Sequence, residues 1–294
     1  MKNQENTPEA IKSMVREKYA NIAKGDKAVI QASCCGATES SKEVYNIMSE
    51  EYEMNGYKEE ADLGLGCGLP TQFAMITEGN TVVDLGSGAG NDCFVARHEA
   101  GAAGKVIGID FTPEMIELAR KNAVISNYNN VEFRQGDIEE MPVLESSVDV
   151  VVSNCVLNLL PKKDRIFSEI SRVLRPGGHF SISDIVLKGA LPEELTDAAE
   201  MYAGCVSGAI QKEAYLELIE KAGFENIKIQ KEKSIIIPDD ILQNYLDDKG
   251  LEDFKSGSTG IFSITVFGVK RGDQQDDLKV FAQGEVCTPG GGCC

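Results

Sequence analysis

The sequence predicts an α/β fold built on a mainly parallel seven-stranded sheet, with a helical extension ahead of it and a C-terminal region that completes it. Two observations predict this. From Asn80 onward, short apolar strands alternate with helical segments, the pattern of parallel strands joined by crossover helices. The first of these strands runs directly into a glycine-rich turn, VVDLGSGAGND, which opens the next helix.

The elements follow in order. Thr7-Pro8-Glu9 leads into AIKSMVREKYANIAKG, a helix with a hydroxyl N-cap, a proline in its first turn and Gly25 past its end. A loop carrying SCCG comes next, then a second helical piece over about 42–53, then the glycine-rich loop GLGCGLP, which feeds a short helix near Pro70. TVVDLGSG is a strand and tight turn, NDCFVARHEAG a helix, KVIGID a strand, TPEMIELARKNAVISN a helix and VEFRQGD a strand. VDVVVSN is a β-branched run that reads as a buried strand. A helix over about 162–174, the turn RPGG and the strand HFSISDIV follow, then helices in 192–203 and 212–222, and two late strands, ENIKIQKEKSII and IFSITVFGVK. The acidic, glycine-rich tail after Arg271 has little periodicity and reads as mobile.

Composition narrows the function. The 294 residues carry a formal charge of -18, which argues against a polyanionic partner, because nucleic-acid binding draws on Lys and Arg meeting phosphates. A small substrate fits better. The N-terminus has no apolar h-region, and no uncharged apolar run approaches the ~18 residues of a membrane span, so a cytoplasmic protein with no membrane partner is expected. Nine cysteines are an odd count in a chain too long to need disulfide staples. There is no pair of CxxC motifs, and His98 and His179 lack ligand-like spacing, which argues against structural zinc. Both histidines read as surface or packing residues, and Cys93 as a packed small residue.

Gly86, Gly88 and Gly90 follow a strand and precede a helix, and a second strand ends about twenty residues on in Asp110, where a carboxylate can accept from both hydroxyls of a ribose. Asp84 puts a negative charge at the first strand end, where a pyrophosphate would be repelled and a cationic amino group or sulfonium would be welcome. A carboxylate capping the neighbouring turn is the other reading of Asp84.

With DLGSGAG, GID and GDIEEMP in order, the chain resembles the Rossmann-like class I methyltransferases that use S-adenosyl-L-methionine, over roughly residues 70–187. The resemblance implies that Gly86 and Gly88 back onto the amino acid part of the cofactor and that Asp110 holds the ribose. It also implies that Met115 covers adenine and that Asp137-Ile138 meet the adenine edge. Gly90 and Asn154 are counted with these residues. Met115 has a second reading as core filler.

Asn154-Cys155 ends the fourth strand at the mouth of the ligand crevice. Cys67 lies in GLGCGLP and Cys205 in MYAGCVSGA, so three distant thiols can converge there. The combination GCGLP, VVSNCVLNLLP and AGCVSGA resembles the arsenite S-adenosylmethionine methyltransferases. That resemblance implies Cys67, Cys155 and Cys205 as ligands of a trivalent arsenic substrate, arsenite or its thiol conjugates. It also implies an upstream redox cysteine, matched by Cys34 or Cys35, which would pair with Cys67 during turnover, and an external thiol reductant of thioredoxin or glutathione type. Trivalent arsenic is soft and prefers thiolates, and its lone pair needs no base before it attacks a methyl group.

The chain then divides into an N-terminal helical and thiol-loop segment (1–69) and a cofactor-binding core (70–190). A region completing the sheet and capping the substrate follows (191–272), and then a Cys-rich tail (273–294) with Cys287, Cys293 and Cys294. The rival expectations are a small-molecule C- or O-methyltransferase of the quinone-ring type and a non-catalytic thiol-based metalloid-binding protein.

Overall fold

A computed structural model describes residues 7–25, 56–193, 195, 206, 208–237 and 239–272. The helices expected at 42–53 and 192–203 lie wholly or mostly outside these residues, as do Cys34, Cys35, Cys205 and the tail. The chain order is α1 (Pro8–Ala23), α2 (Pro70–Phe73), β1 (Thr81–Leu85), α3 (Asn91–Ala100), β2 (Lys105–Asp110), α4 (Pro113–Ile125), β3 (Val131–Gln135) and β4 (Val148–Asn154). It continues with α5 (Lys163–Val173), β5 (Leu174–Lys188), α6 (Lys212–Lys221), β6 (Phe224–Ser234), α7 (Asp239–Leu242), α8 (Asp248–Lys255) and β7 (Gly260–Lys270).

The seven strands form one sheet in the order β3-β2-β1-β4-β5-β7-β6. β1 to β5 are parallel, while β7 runs antiparallel to both β5 and β6. The order reverses between β1 and β4, and in a parallel sheet that switch point opens a crevice beyond the carboxyl ends of the two strands. The glycine turn after β1 and Asn154-Cys155 after β4 therefore border the same opening.

Both faces of the sheet are covered, which explains why the central strands read as apolar runs rather than alternating ones. Val82 and Val150 pack on one face with Phe94, Val106, Ile116 and Phe133. Val83 and Val151 pack on the other with Phe167, Ile170, Phe180 and Tyr215. Neighbouring positions on a strand point to opposite faces, so one pair of adjacent valines supplies both layers.

The local signals act as expected at α1, where the Thr7 hydroxyl accepts from Ala10 N at 3.2 Å and Pro8 occupies the first turn. Three details differ from the sequence reading. β5 already starts at Leu174, so RPGG is part of the extended segment, with a left-handed Gly177 (φ 77°) and a register shift against β4 absorbing the turn. α7 and α8 were not anticipated, being short and strongly charged; α8 starts where the Asp247 carboxylate caps Gly250 N at 2.8 Å. No described helix is long and apolar enough to cross a membrane.

Candidate active site

The crevice encloses about 760 Å3 of empty space, including its open mouth. Its floor is the turn after β1, where Gly86 (φ 66°) and Gly88 (φ 49°) hold left-handed conformations. A side chain at Gly86 would run into Val156 at 2.5 Å, so the backbone there is exposed only because the residue is glycine. Gly90 has a different task. Its φ of 99° starts α3, and a Cβ there would meet the rings of Phe133 and Phe94; it does not line the crevice.

Four carboxylates, Asp62, Asp84, Asp92 and Asp110, line this space, and no lysine, arginine or histidine among the described residues lines it with them. Asp110 ends β2 and accepts from Gly88 N at 3.1 Å and Thr112 N at 2.8 Å, which pins it to the glycine turn. Burial raises its pKa, and those two amide bonds work against the shift. Asp84, 2% exposed, accepts a hydrogen bond from the Cys93 thiol at 3.2 Å. Burial first, and then the charges of Asp92 and Asp110, push the Asp84 carboxyl well above its ordinary range. The Cys93 thiol is pushed well up by burial and by Asp84, so it stays protonated and serves as a donor. Asp92, in the first turn of α3, is raised to about 6 by burial, while a hydrogen bond from Asn154 pulls the other way.

Crowded carboxylates in a cleft that lacks a lining cation suit a ligand that brings positive charge of its own. The amino group and sulfonium of S-adenosylmethionine bring it, and Asp110, the residue expected to accept from a ribose, stands at the same wall, so the residues present fit that cofactor.

α1 forms the far wall. Val15 and Tyr19 line the cleft, and Arg16 lies over the ring of Phe111 at 5.4 Å. Lys12 reaches Asp137 and Glu139, at 2.6 Å each. The residues expected around adenine are not on the lining of this cleft. Met115 is fully buried and does not line the cleft; Phe111, four residues earlier, does. Asp137 spends one oxygen on Lys12 and the other on Glu139 N at 2.9 Å, Ile138 is buried in the core, and neither lines the cleft. Lys12 and α1 carried no signal of this, since an isolated lysine on an amphipathic helix reads as a solvated residue.

The thiols sit at the other end. Cys67 and Cys155 are joined as a disulfide, with Cα atoms 5.6 Å apart and both residues 4% exposed. Cys155 takes a left-handed φ of 59° immediately after β4, and its N–H bonds Ser183 O at 2.8 Å. That sharp departure from the strand turns the residue toward the 66–68 loop. On the loop side, the Cys67 carbonyl accepts from the Ser263 hydroxyl of β7 at 2.5 Å. Sequence reasoning anticipated Cys67 paired with Cys34 or Cys35; the partner here is Cys155, and the upstream cysteines lie outside the described residues. Ile185, Ile235, Ile261 and Val206 pack in one cluster with the two sulfurs.

Asn154, expected among the cofactor residues, lines the cleft but spends its carboxamide on the protein. Its Oδ1 accepts from Cys67 N at 3.0 Å and Gly68 N at 3.2 Å, and its Nδ2 donates to Gly68 O at 2.8 Å and Asp92 Oδ2 at 3.1 Å. Behind Cys155, Asn158 donates to a fully buried Asp184 at 2.8 Å, and Tyr215 OH donates to the same carboxylate at 3.2 Å. Burial raises Asp184 to about 7, against the pull of Ile185 N–H, Lys163 and Tyr215. The histidines stand apart: His98 is exposed, and His179 Nε2 meets Ala74 O at 2.6 Å with its ring against Phe267.

Comparison with known proteins agrees with this geometry. Residues 76–223 match a family described as a methyltransferase domain. The arsenite methyltransferase of Halobacterium salinarum is 43% identical over 231 residues, 76% of this chain and 59% of that protein. The arsenite methyltransferase of Aquipseudomonas alcaligenes is 32% identical over 241 residues, 80% of this chain and 68% of that one. Among solved structures, an arsenic(III) S-adenosylmethionine methyltransferase from Chlamydomonas reinhardtii superposes with a TM-score of 0.60 at 33% identity, covering 71% of this chain and 68% of that chain. The chain thus spans about three fifths of the Halobacterium protein's length. With a glycine turn and acidic cleft at one end of the crevice and paired thiols at the other, this chain belongs to the arsenite methyltransferase family and carries its S-adenosylmethionine-dependent methyltransferase domain.

Proposed function

We propose that the chain transfers a methyl group from S-adenosylmethionine to trivalent arsenic held by thiolates, giving methylated arsenicals. The observation that carries this reading is the position of Cys67 and Cys155, side by side, with Cys155 on the lining of the acidic cleft. Cys205, which lies outside the described residues, is taken as a third ligand on its AGCVSGA context.

The cofactor supplies an electrophilic methyl carbon on a sulfonium. Asp84 and Asp92 would offset its ammonium and sulfonium charges, Asp110 would take the ribose, and Gly86 and Gly88 would let the backbone come close. Reduced Cys67 and Cys155 ligate arsenic through soft sulfur, and two or three thiolates leave its lone pair free to point at the cleft. Arsenic's lone pair would take the methyl group as the cofactor's carbon–sulfur bond breaks, which would raise arsenic from the trivalent to the pentavalent state. No proton has to leave arsenic, in keeping with histidines that stand apart from the cleft. Two thiolates then leave as a disulfide, returning two electrons to arsenic, and an external thiol reductant of thioredoxin or glutathione type reopens the pair. The Cys67–Cys155 bond is one such oxidised pair, and Cys67 with Cys34 or Cys35 would be the other. A reducing cytoplasmic setting suits that cycle.

The test is incubation of the purified chain with labelled S-adenosylmethionine, arsenite and a dithiol reductant, with separation of the arsenicals formed. Methylated arsenic from the parent, and its severe loss in Cys67→Ser, Cys155→Ser and Cys205→Ser, is the expected result. Label appearing only on quinone-type carbon or oxygen acceptors, with the cysteine variants fully active, would replace this reading.

A further inference from the structure

The cofactor cleft and the thiol loop are joined through one side chain. All four bonds of the Asn154 carboxamide described above run between the two: three go to the backbone of Cys67 and Gly68, and one to Asp92 Oδ2. The loop backbone lies directly against that amide, since a Cβ on Gly66 would stand 2.7 Å from Asn154 Nδ2. Asp92 faces the cleft, and its other oxygen, Oδ1, is buried without a hydrogen-bond partner among the described residues. A buried carboxylate oxygen is costly to leave unpaired, so a ligand that donates to it is strongly favoured.

We propose that Asp92 and Asn154 couple the two ends of the site, Asp92 receiving a cationic group of the cofactor and Asn154 acting as the positioning residue that fixes Cys67. The inference rests on the proposed reading of the cleft and the thiols. A cation bonded to Oδ1 holds Asp92 charged and in place, and a charged acceptor strengthens the Asn154 bond at Oδ2. The carboxamide is planar, so fixing Nδ2 also fixes Oδ1, and with it the N–H groups of Cys67 and Gly68. The reduced thiol loop then meets its substrate with less to order, and linkage requires the converse: an arsenical on the thiols tightens cofactor binding by the same factor.

The experiment measures that factor by calorimetry on the full chain, reduced with a phosphine that does not compete as a thiol. Phenylarsine oxide serves as the trivalent arsenical. Sinefungin, which carries an ammonium where the cofactor carries its sulfonium, serves as the cleft ligand and transfers no methyl group. The parent is expected to bind phenylarsine oxide roughly fivefold or more tighter with saturating sinefungin, the lower end of typical coupling factors. Asn154→Asp retains acceptors for the loop amides but loses the donor to Asp92, and Asp92→Ala removes the acceptor; in both, the ratio falls to about one, whatever happens to either affinity alone. A parent ratio near one, or both variants keeping the parent ratio, overturns the coupling. If one variant does not fold, the parent ratio and the other variant still decide. Failure of the parent to bind phenylarsine oxide, or binding that survives Cys67→Ser with Cys155→Ser, would instead remove the proposed function and the coupling with it.

Discussion

Cys67 and Cys155, 88 residues apart in sequence, are bonded through their sulfurs at the rim of the acidic cleft. An alkylating reagent should therefore leave both untouched until the protein is reduced, and peptide mass mapping should find both labelled afterwards. Arsenical binding should follow the same requirement. Replacing either cysteine with serine turns a chelate into a weaker attachment, with an expected loss of roughly two orders of magnitude or more in affinity.

Asp84 is the buried carboxylate at the end of β1, and Asp84→Asn keeps its shape while removing its charge. Cofactor affinity should fall at least about tenfold, because a hydrogen bond to a charged group contributes ~1.5–3 kcal/mol. The pH dependence has a definite sign. Asp84 and Asp92 both sit above their ordinary range, Asp92 at about 6, and a cation binds their ionised forms. Binding measured by calorimetry should tighten as pH rises from 5 to 7, with proton release, and this slope should shrink in the variant.

Lys12 ties α1 to Asp137 and Glu139, and Glu139 is 6% exposed. Lys12→Met preserves the stem and removes the charge, leaving Glu139 uncompensated at a cost of roughly 1–3 kcal/mol. Hydrogen exchange of the α1 amides should accelerate, while the amides of β1 and β4 should keep their protection. Cofactor affinity should fall too, because Val15 and Tyr19 lose their hold on the cleft.

Gly68 lies against β5 so closely that a Cβ would overlap the Ser183 side chain. Gly68→Ala should push the thiol loop off Asn154 and Ser263. Arsenical affinity should drop by a larger factor than cofactor affinity, and thermal melting should show a loss of roughly 1–3 kcal/mol from overpacking.

Asp184 is raised to about 7 by burial, whereas in the unfolded chain it titrates near 3.8. Between these values the folded protein holds a proton that the unfolded chain has released, so this group's stabilisation is complete below pH 3.8 and is lost as pH rises through 7. Asp184→Asn mimics the protonated form. Denaturant melts at a series of pH values should show the parent losing stability from pH 4 to 7 relative to the variant, by an amount on the order of a few kcal/mol.

The alternation of strands and helices, the glycine turn, and the places of Asp84, Asp110 and Cys155 at strand ends were legible because each depends on local sequence: strand period, turn chemistry and the rule that ligands sit at carboxyl ends. That Phe111 lines the cleft and Met115 does not was not legible, because both lie just past β2 and only packing decides which one faces the cleft. The ion pair of Asp137 was not legible because its partner, Lys12, is 125 residues away on a helix whose docking leaves no local signature. Cys93 was read as a packing residue, and it is packed, yet the same burial is what makes its thiol a hydrogen-bond donor to Asp84. The bonds of Asn154 depend on two loops meeting, which no periodicity encodes.

The antiparallel strand β7 is inserted between β5 and β6, and its Ser263 holds the Cys67 carbonyl. During synthesis, then, the thiol loop emerges from the ribosome nearly two hundred residues before the hydroxyl that seats it. A nascent chain halted short of β7 carries the glycine turn and β4 but lacks the hydroxyl that seats the thiol loop.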